Sequence, residues 1–135
     1  MANYYATARS NYFKVKDKEK FEDFCNRLNV EMIEREDQVG FICTLDPDCG
    51  SLPWSIYDET LDDHVEYDLL QGISEHLQEG EVAVLQEAGH EKFRYVTGVA
   101  FAVNWKGEVA YVNINDIYKK AQEELGGEHI SVAEY

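Results

Sequence analysis

The run KFRYVTGVAFAVNWKGEVAYVNIND, residues 92–116, constrains the fold more than any other part of the chain. Two stretches rich in Val, Tyr, Phe and Ala flank Lys106-Gly107, a pair suited to a tight turn. The pattern predicts that Phe93–Asn104 pairs antiparallel with Glu108–Ile114, and Gly98 is a candidate bulge. A hairpin this long needs further strands or helices to bury its apolar side.

Tyr4–Val15 is rich in β-formers and reads as a strand or a bent strand pair. In KDKEKFEDFCNRL, Phe21, Phe24, Cys25 and Leu28 fall at i, i+3, i+4 and i+7, one face of a helix, with Asp17 as its N-cap. Val30–Glu34 reads as a strand, EREDQ as a turn and Gln38–Leu45 as a strand with Val39, Phe41 and Cys43 on one side. The loop DPDCGSLP leads to a short strand at Pro53–Tyr57, with the proline confined to its start. A second helix is expected over Asp63–Gln78. Val65, Leu69, Leu70, Ile73 and Leu77 share its apolar side, Asp62 or Asp63 caps it, and Gly80 stops it. Glu81–Glu87 reads as a strand, with His90-Glu91 in a turn beyond it. Asp116–Leu125 reads as a third helix, capped by Asn115, ended by Gly126-Gly127 and presenting Ile117, Tyr118, Ala121 and Leu125 inward. The tail EHISVAEY reads as a strand or an irregular end.

Short connections and a hairpin favour an α+β fold: a mostly antiparallel sheet with about three helices packed on one face. With 135 residues, 44% of them hydrophobic, residues 1–135 suit a single domain. The chain contains no apolar run long enough to cross a membrane as a helix. The stretch MANYYATARSNYFKV lacks a secretory apolar core, so a cytoplasmic protein is expected. Cys25, Cys43 and Cys49 are odd in number and form no CxxC pair. Cys25 and Cys43 are expected to be core residues, and Cys49 lies in a loop.

Signatures of chemistry are sparse. Asp46, Asp48 and Gly50 resemble the start of a calcium loop, but position twelve, which should be glutamate, is Tyr57, so a turn is expected instead. His64, His76, His90 and His129 have no metal-ligand spacing. Sequence spacing pairs no nucleophile with a base, and no glycine-rich phosphate loop is present. The expectation is no catalytic residue, no metal and no cofactor.

Charge is the informative feature. The net charge is −15, and its distribution is uneven. Residues 1–35 carry seven basic and six acidic side chains, residues 36–91 carry fifteen acidic and none basic, and residues 92–135 carry five and six. On the expected second helix, Asp68, Glu75 and Glu79 would form a stripe facing away from Leu70 and Leu77, with no lysine nearby to relieve it. Asp58, Glu59, Asp62 and Asp63 precede that stripe. Net charge for solubility explains acidity but not its confinement to one segment. A segregated negative face suits a basic partner. Nucleic acid would be repelled, whereas a protein that binds nucleic acid would not. These seven residues are the candidate partner-binding set. A mobile-element housekeeping protein with an unknown partner and a small enzyme are the alternatives.

The segment YYATARSNYFKVKDKEKFEDF resembles that of a group of small acidic proteins encoded by bacteria, phages and mobile elements. In that group an Ala-Arg-Ser/Thr-Asn-Tyr-Phe stretch precedes a Val-Lys-Asp helix start. The matching residues are Ala8, Arg9, Ser10, Asn11, Tyr12, Phe13, Val15, Lys16 and Asp17, and HLQEGEVAVLQEAGHEKFRYVTGVAFAVN is similar as well. The resemblance covers about half the chain and carries no catalytic role. It implies a prokaryotic or mobile-element protein with an anti-defence role of the anti-CRISPR kind. Arg9 is expected to anchor an acidic group of its own domain rather than a partner.

Overall fold

A computed structural model describes residues 4–43 and 50–133. The chain is an α+β protein with three helices and a six-stranded sheet whose described pairings are all antiparallel. The elements are β1 (Tyr5–Ser10), α1 (Lys18–Leu28), β2 (Glu31–Arg35), β3 (Gln38–Ile42), β4 (Ser55–Asp58), β5 (Asp63–Glu66), α2 (Leu69–His76), β6 (Val82–Glu91), β7 (Tyr95–Asn104), β8 (Val109–Asn113) and α3 (Asp116–Leu125). The sheet order is β2-β3-β1-β6-β7-β8, and β4-β5 forms a separate two-stranded ribbon.

The β7–β8 hairpin forms as the alternation predicts, with Val103 opposite Val109 and Phe101 opposite Tyr111. Its turn is held by Asn104, whose Oδ1 accepts from the Lys106 and Glu108 backbone N–H groups at 3.0 and 2.9 Å. Gly107 supplies the positive φ of 85°. Gly98 is not a bulge: it pairs in register with Ala88. A Cβ there would lie 2.7 Å from Cγ2 of Ile114, so the glycine makes room for that side chain. β6 runs on through His90 and Glu91, and the turn follows at Lys92–Arg94.

One face of the sheet carries the core. Ala8, Phe41, Ala83, Leu85 and Val103 are buried there beneath Phe21, Phe24, Cys25 and Leu28 of α1 and Leu69 and Ile73 of α2. Asp17 caps α1 as expected, accepting from Glu19 and Lys20 N–H at 3.0 and 3.1 Å. Phe13 follows the end of β1, bridges to Val39 and meets Phe21 edge-on, ring centroids 5.6 Å apart. Val15 bridges to Leu77, which completes the bent strand.

The structure also departs from expectation at the second and third helices. Asp63–Glu66 is a strand, and the second helix starts only at Leu69. Val65 and Leu69 fit one helical face by spacing, but β4 supplies backbone partners that keep 63–66 extended, with Val65 opposite Ile56. α3 forms where expected, but none of its residues is fully buried. Ile117 and Leu125 are exposed, while Tyr118 and Ala121 are half-buried. Asn115 precedes the helix without a side-chain capping bond. The Tyr118 hydroxyl accepts instead from the Ala133 N–H at 2.7 Å, which ties the tail to the helix.

The opposite face of the sheet has no covering layer among the described residues. Strand register assigns its side chains, since directly paired residues share a face. Tyr5, His90 and Val96 form one row across β1, β6 and β7. Thr7, Ala88 and Gly98 form the next, with Ile114 at its end. Arg9, Gln86, Ala100 and Val112 form the third.

Candidate acidic binding surface

The β4–β5 ribbon lies against the helix side of the sheet, anchored by buried Ile56, and Trp54 meets Phe101 at 5.4 Å. Its tip is built from carboxylates. Asp58 Oδ1 accepts from Thr60 and Leu61 N–H at 2.8 and 3.4 Å and so folds the turn. Asp62 takes the left-handed conformation, φ 49°, which an aspartate tolerates, and accepts the Tyr57 hydroxyl. That bond, with burial and the charges of Glu59 and Asp58 adding to it, raises the Tyr57 phenol pKa. Asp63 Oδ1 accepts from the His64 N–H at 2.8 Å. Asp58 sits directly opposite Asp63 in the ladder. Glu59, Asp62 and Asp63 are exposed and Asp58 is half-buried, so four carboxylates crowd one turn. Arg27 of α1 reaches this ribbon, but its guanidinium donates to the Tyr57 carbonyl, at 3.1 and 3.4 Å, and not to a carboxylate.

Asp68, Glu75 and Glu79 do not form a stripe along one helix. Asp68 is the N-cap of α2, accepting from Gln71 N–H at 3.2 Å, and takes the capping role the sequence suggested for Asp62 or Asp63. Glu75 is exposed within α2, and Glu79 lies past its end beside Gly80. Asp68 and Glu75 both flank Tyr67, whose phenol pKa is raised first by burial and then by these charges. The seven residues thus fall into a tip group (Asp58, Glu59, Asp62, Asp63) and an α2 group (Asp68, Glu75, Glu79). Asp63 and Asp68 are separated by β5, roughly 16 Å of extended chain. None of the seven is in an ion pair among the described residues. Within the 36–91 gap the described pairs involve only Asp37, with Lys14 at 3.4 Å, and Glu91, with Arg94 at 3.5 Å. Direct ion pairs thus fall at the ends of the gap, while Arg27, Lys16 and Lys20 act on Tyr67 and His76 beside the α2 group without a described ion pair to it.

The ARSNYF stretch is a structural joint. The Ser10 hydroxyl donates to the Asn11 carbonyl at 2.7 Å and accepts from the Phe41 N–H at 2.9 Å. Asn11 stitches the bend to β6: Val84 N–H donates to its Oδ1 at 2.8 Å, and its Nδ2 donates to the Val82 carbonyl at 3.3 Å. The expected carboxylate partner of Arg9 is not found among the described residues. Its Nε donates to the Ser10 carbonyl at 2.9 Å, and its guanidinium lies 5.6 Å from the Tyr12 ring, which Arg35 also covers at 4.2 Å. Sequence reasoning missed Glu87, which turns inward to accept from Tyr4 Oη at 3.0 Å and Leu52 N–H at 2.7 Å. Its only signal was an acidic residue on the core side of a strand alternation.

The remaining candidates for chemistry have structural roles. Cys25 and Cys43 are buried free thiols, as expected, and burial pushes both pKa values up to about 12. A thiol so raised is not a nucleophile at neutral pH. His76 packs on Phe24 at 4.6 Å, and burial lowers its pKa. His64 lies against Tyr57 and His90 against Tyr5, each at 5.8 Å. Among the described residues no group of three or more His, Cys, Asp or Glu could hold a metal ion. Asp46, Asp48 and Cys49 lie outside the described residues. Gly50 is buried and donates to the Ala6 carbonyl at 3.1 Å. No described helix is long and apolar enough to cross a membrane. No family model, no curated protein and no solved structure matches the chain.

Proposed function

We propose that this chain is a non-enzymatic binding protein whose acidic surface occupies a basic, nucleic-acid-binding surface of a partner protein. The observation that carries the reading is the ribbon tip, where Asp58 and Asp63 pair across strands beside Glu59 and Asp62, none of them in an ion pair among the described residues. Like charges placed opposite one another destabilise a ladder. A tip held by three Asp-to-backbone turn bonds keeps those charges in fixed positions, as a surface that stands in for phosphates requires. The α2 group extends the negative field beyond the tip. The resemblance of the N-terminal segment to small acidic mobile-element proteins agrees with this reading and suggests an anti-defence inhibitor as its biological form. A mobile-element protein with another partner is the second reading, and a small enzyme the third.

The test is capture of proteins from a bacterial lysate on the immobilised chain, compared with a Glu59→Lys, Asp63→Lys, Glu75→Lys variant. Asp68 is left intact because it caps α2. The wild type should retain basic nucleic-acid-binding proteins that are released by added duplex DNA. Retention should fall steeply between about 50 and 500 mM salt, as screening shortens to a few ångströms. The variant, shown to be folded by circular dichroism, should lose them. A folded variant that retains the same proteins would reduce the acidic surface to a solubility device.

A further inference from the structure

The uncovered sheet face is unlike the rest of the molecule. The chain has 27 acidic residues, yet among the described strands only Glu31, on edge strand β2, shares this face. Its centre is flat, made by Ala88, Gly98, Ala100, Ala102 and Ala110. Its margins are larger apolar side chains left in water: Val96 is 54% exposed, Val112 55% and Ile114 48%. Phe93, at the β6–β7 turn, is 90% exposed and borders a groove of about 830 Å³ with Tyr5, Ala88, His90 and Val96. On β7 and β8 this makes a contiguous apolar patch, bordered on β1 and β6 by Thr7, Arg9, Gln86 and His90, and such a patch marks an interaction site.

We infer that this face is the interface of a homodimer, two copies packed sheet to sheet. Size supports it. Four strands at about 4.8 Å spacing and eight residues at about 3.4 Å give roughly 500 Å² for β1-β6-β7-β8. The exposed rims at Phe93 and Ile114 bring this toward the roughly 800 Å² per partner of a standard interface. Charge selects a second copy as the occupant. Chains of net charge −15 repel each other on most approaches. The ribbon tip and α2 lie on the other side of the sheet, a layer about 10 Å away, and screening removes most of their repulsion over roughly 8 Å at physiological salt. The acid-poor face is therefore the one on which like-charged copies can meet. Small central residues let two twisted sheets approach at the usual sandwich spacing, and the groove beside Val96 can receive the partner's Phe93.

The test is sedimentation equilibrium and light scattering at about 100 μM, above the micromolar Kd at the weak end for interfaces of this size. The wild type should have twice the 15.6 kDa mass of the chain. Ala100→Arg and, separately, Val112→Arg should each give a monomer with an unchanged circular dichroism spectrum. Both substitutions lower the net negative charge, so dissociation cannot be assigned to a stronger overall repulsion between chains. Val112 is on an exposed edge strand, so its variant folds even if Ala100→Arg does not. Asp63→Lys, at the ribbon tip, should remain dimeric. A monomeric wild type at this concentration, or a folded Val112→Arg variant that stays dimeric, would overturn the inference.

Discussion

Asp58 and Asp63 stand directly opposite each other at the end of the β4–β5 ladder, two carboxylates paired across strands with no ion pair to either among the described residues. Such a pair opposes folding by a fraction of a kcal/mol. Replacing Asp63 by lysine makes the pair one of opposite sign, worth about 0.5 kcal/mol, and gives up only the exposed bond from the His64 N–H, so the net change should still be stabilising. The same substitution should weaken capture of the basic partner. Urea denaturation and the lysate assay on one variant measure both effects. Opposite signs are expected if the tip is kept acidic for binding; loss of stability would contradict the account.

Asp68 has a different task. As N-cap of α2 it satisfies a backbone N–H of the first turn. Asp68→Ala should cost about 1 kcal/mol, whereas Asp68→Asn, which caps equally well, should cost little. Denaturant midpoints of the two variants distinguish capping from pure charge, since both remove the same negative charge.

The joint at Ser10 makes a third prediction. Ser10→Ala strands the buried Phe41 N–H that now donates to its hydroxyl, a loss of about 1–3 kcal/mol. Gly40→Ala should also destabilise, because its Cβ would fall 2.5 Å from the Asn11 carbonyl oxygen, a backbone atom that cannot swing away. Thermal unfolding of both variants tests the joint without reference to any partner.

His76 links stability to pH. Burial against Phe24 lowers its pKa in the folded protein, against causes of both signs from Glu75, Lys16, Asp17 and Lys20. As pH falls through about 6.5, the unfolded chain takes up the proton first, so this group's contribution turns against folding on the acid side. At neutral pH the imidazole is uncharged in both states and contributes nothing of this kind. His76→Phe keeps the ring contact and removes the titration. Between about pH 7.5 and 5.5, either side of the ordinary histidine value, the wild type should lose more stability than the variant. Equal losses would show that His76 is not a source of the acid sensitivity.

The sequence was most legible where two signals agreed. Alternation and a Lys-Gly turn together defined β7–β8, and Asp17 with a four-residue apolar face defined α1. It misled where one signal stood alone. Val65 and Leu69 match a helical repeat, yet the strand state of 63–66 depends on pairing with Ser55–Asp58, information not local to either segment. The acidic stripe failed with that helix, and the carboxylates fell into two groups instead. Val82 to Leu85 are apolar without a break. Nothing in the run says that one face lacks a cover. The same holds for α3, whose apolar spacing was correctly seen and whose expected burial was not found.

The two edges of the sheet are guarded differently. β2, EMIER, carries three charges in five residues, a common way of making an edge strand unattractive to other chains. β8, VAYVN, carries none, contains no proline and is exposed along nearly its whole length. Short, uncharged, β-favouring segments of this type stack readily into fibrils. At neutral pH the net charge of −15, rather than a local gatekeeper, is what opposes such stacking. Acidification toward the isoelectric point near 4.5 removes that repulsion while leaving β8 bare. Net charge of the whole molecule thus does for β8 what a lysine or proline within the strand would otherwise do.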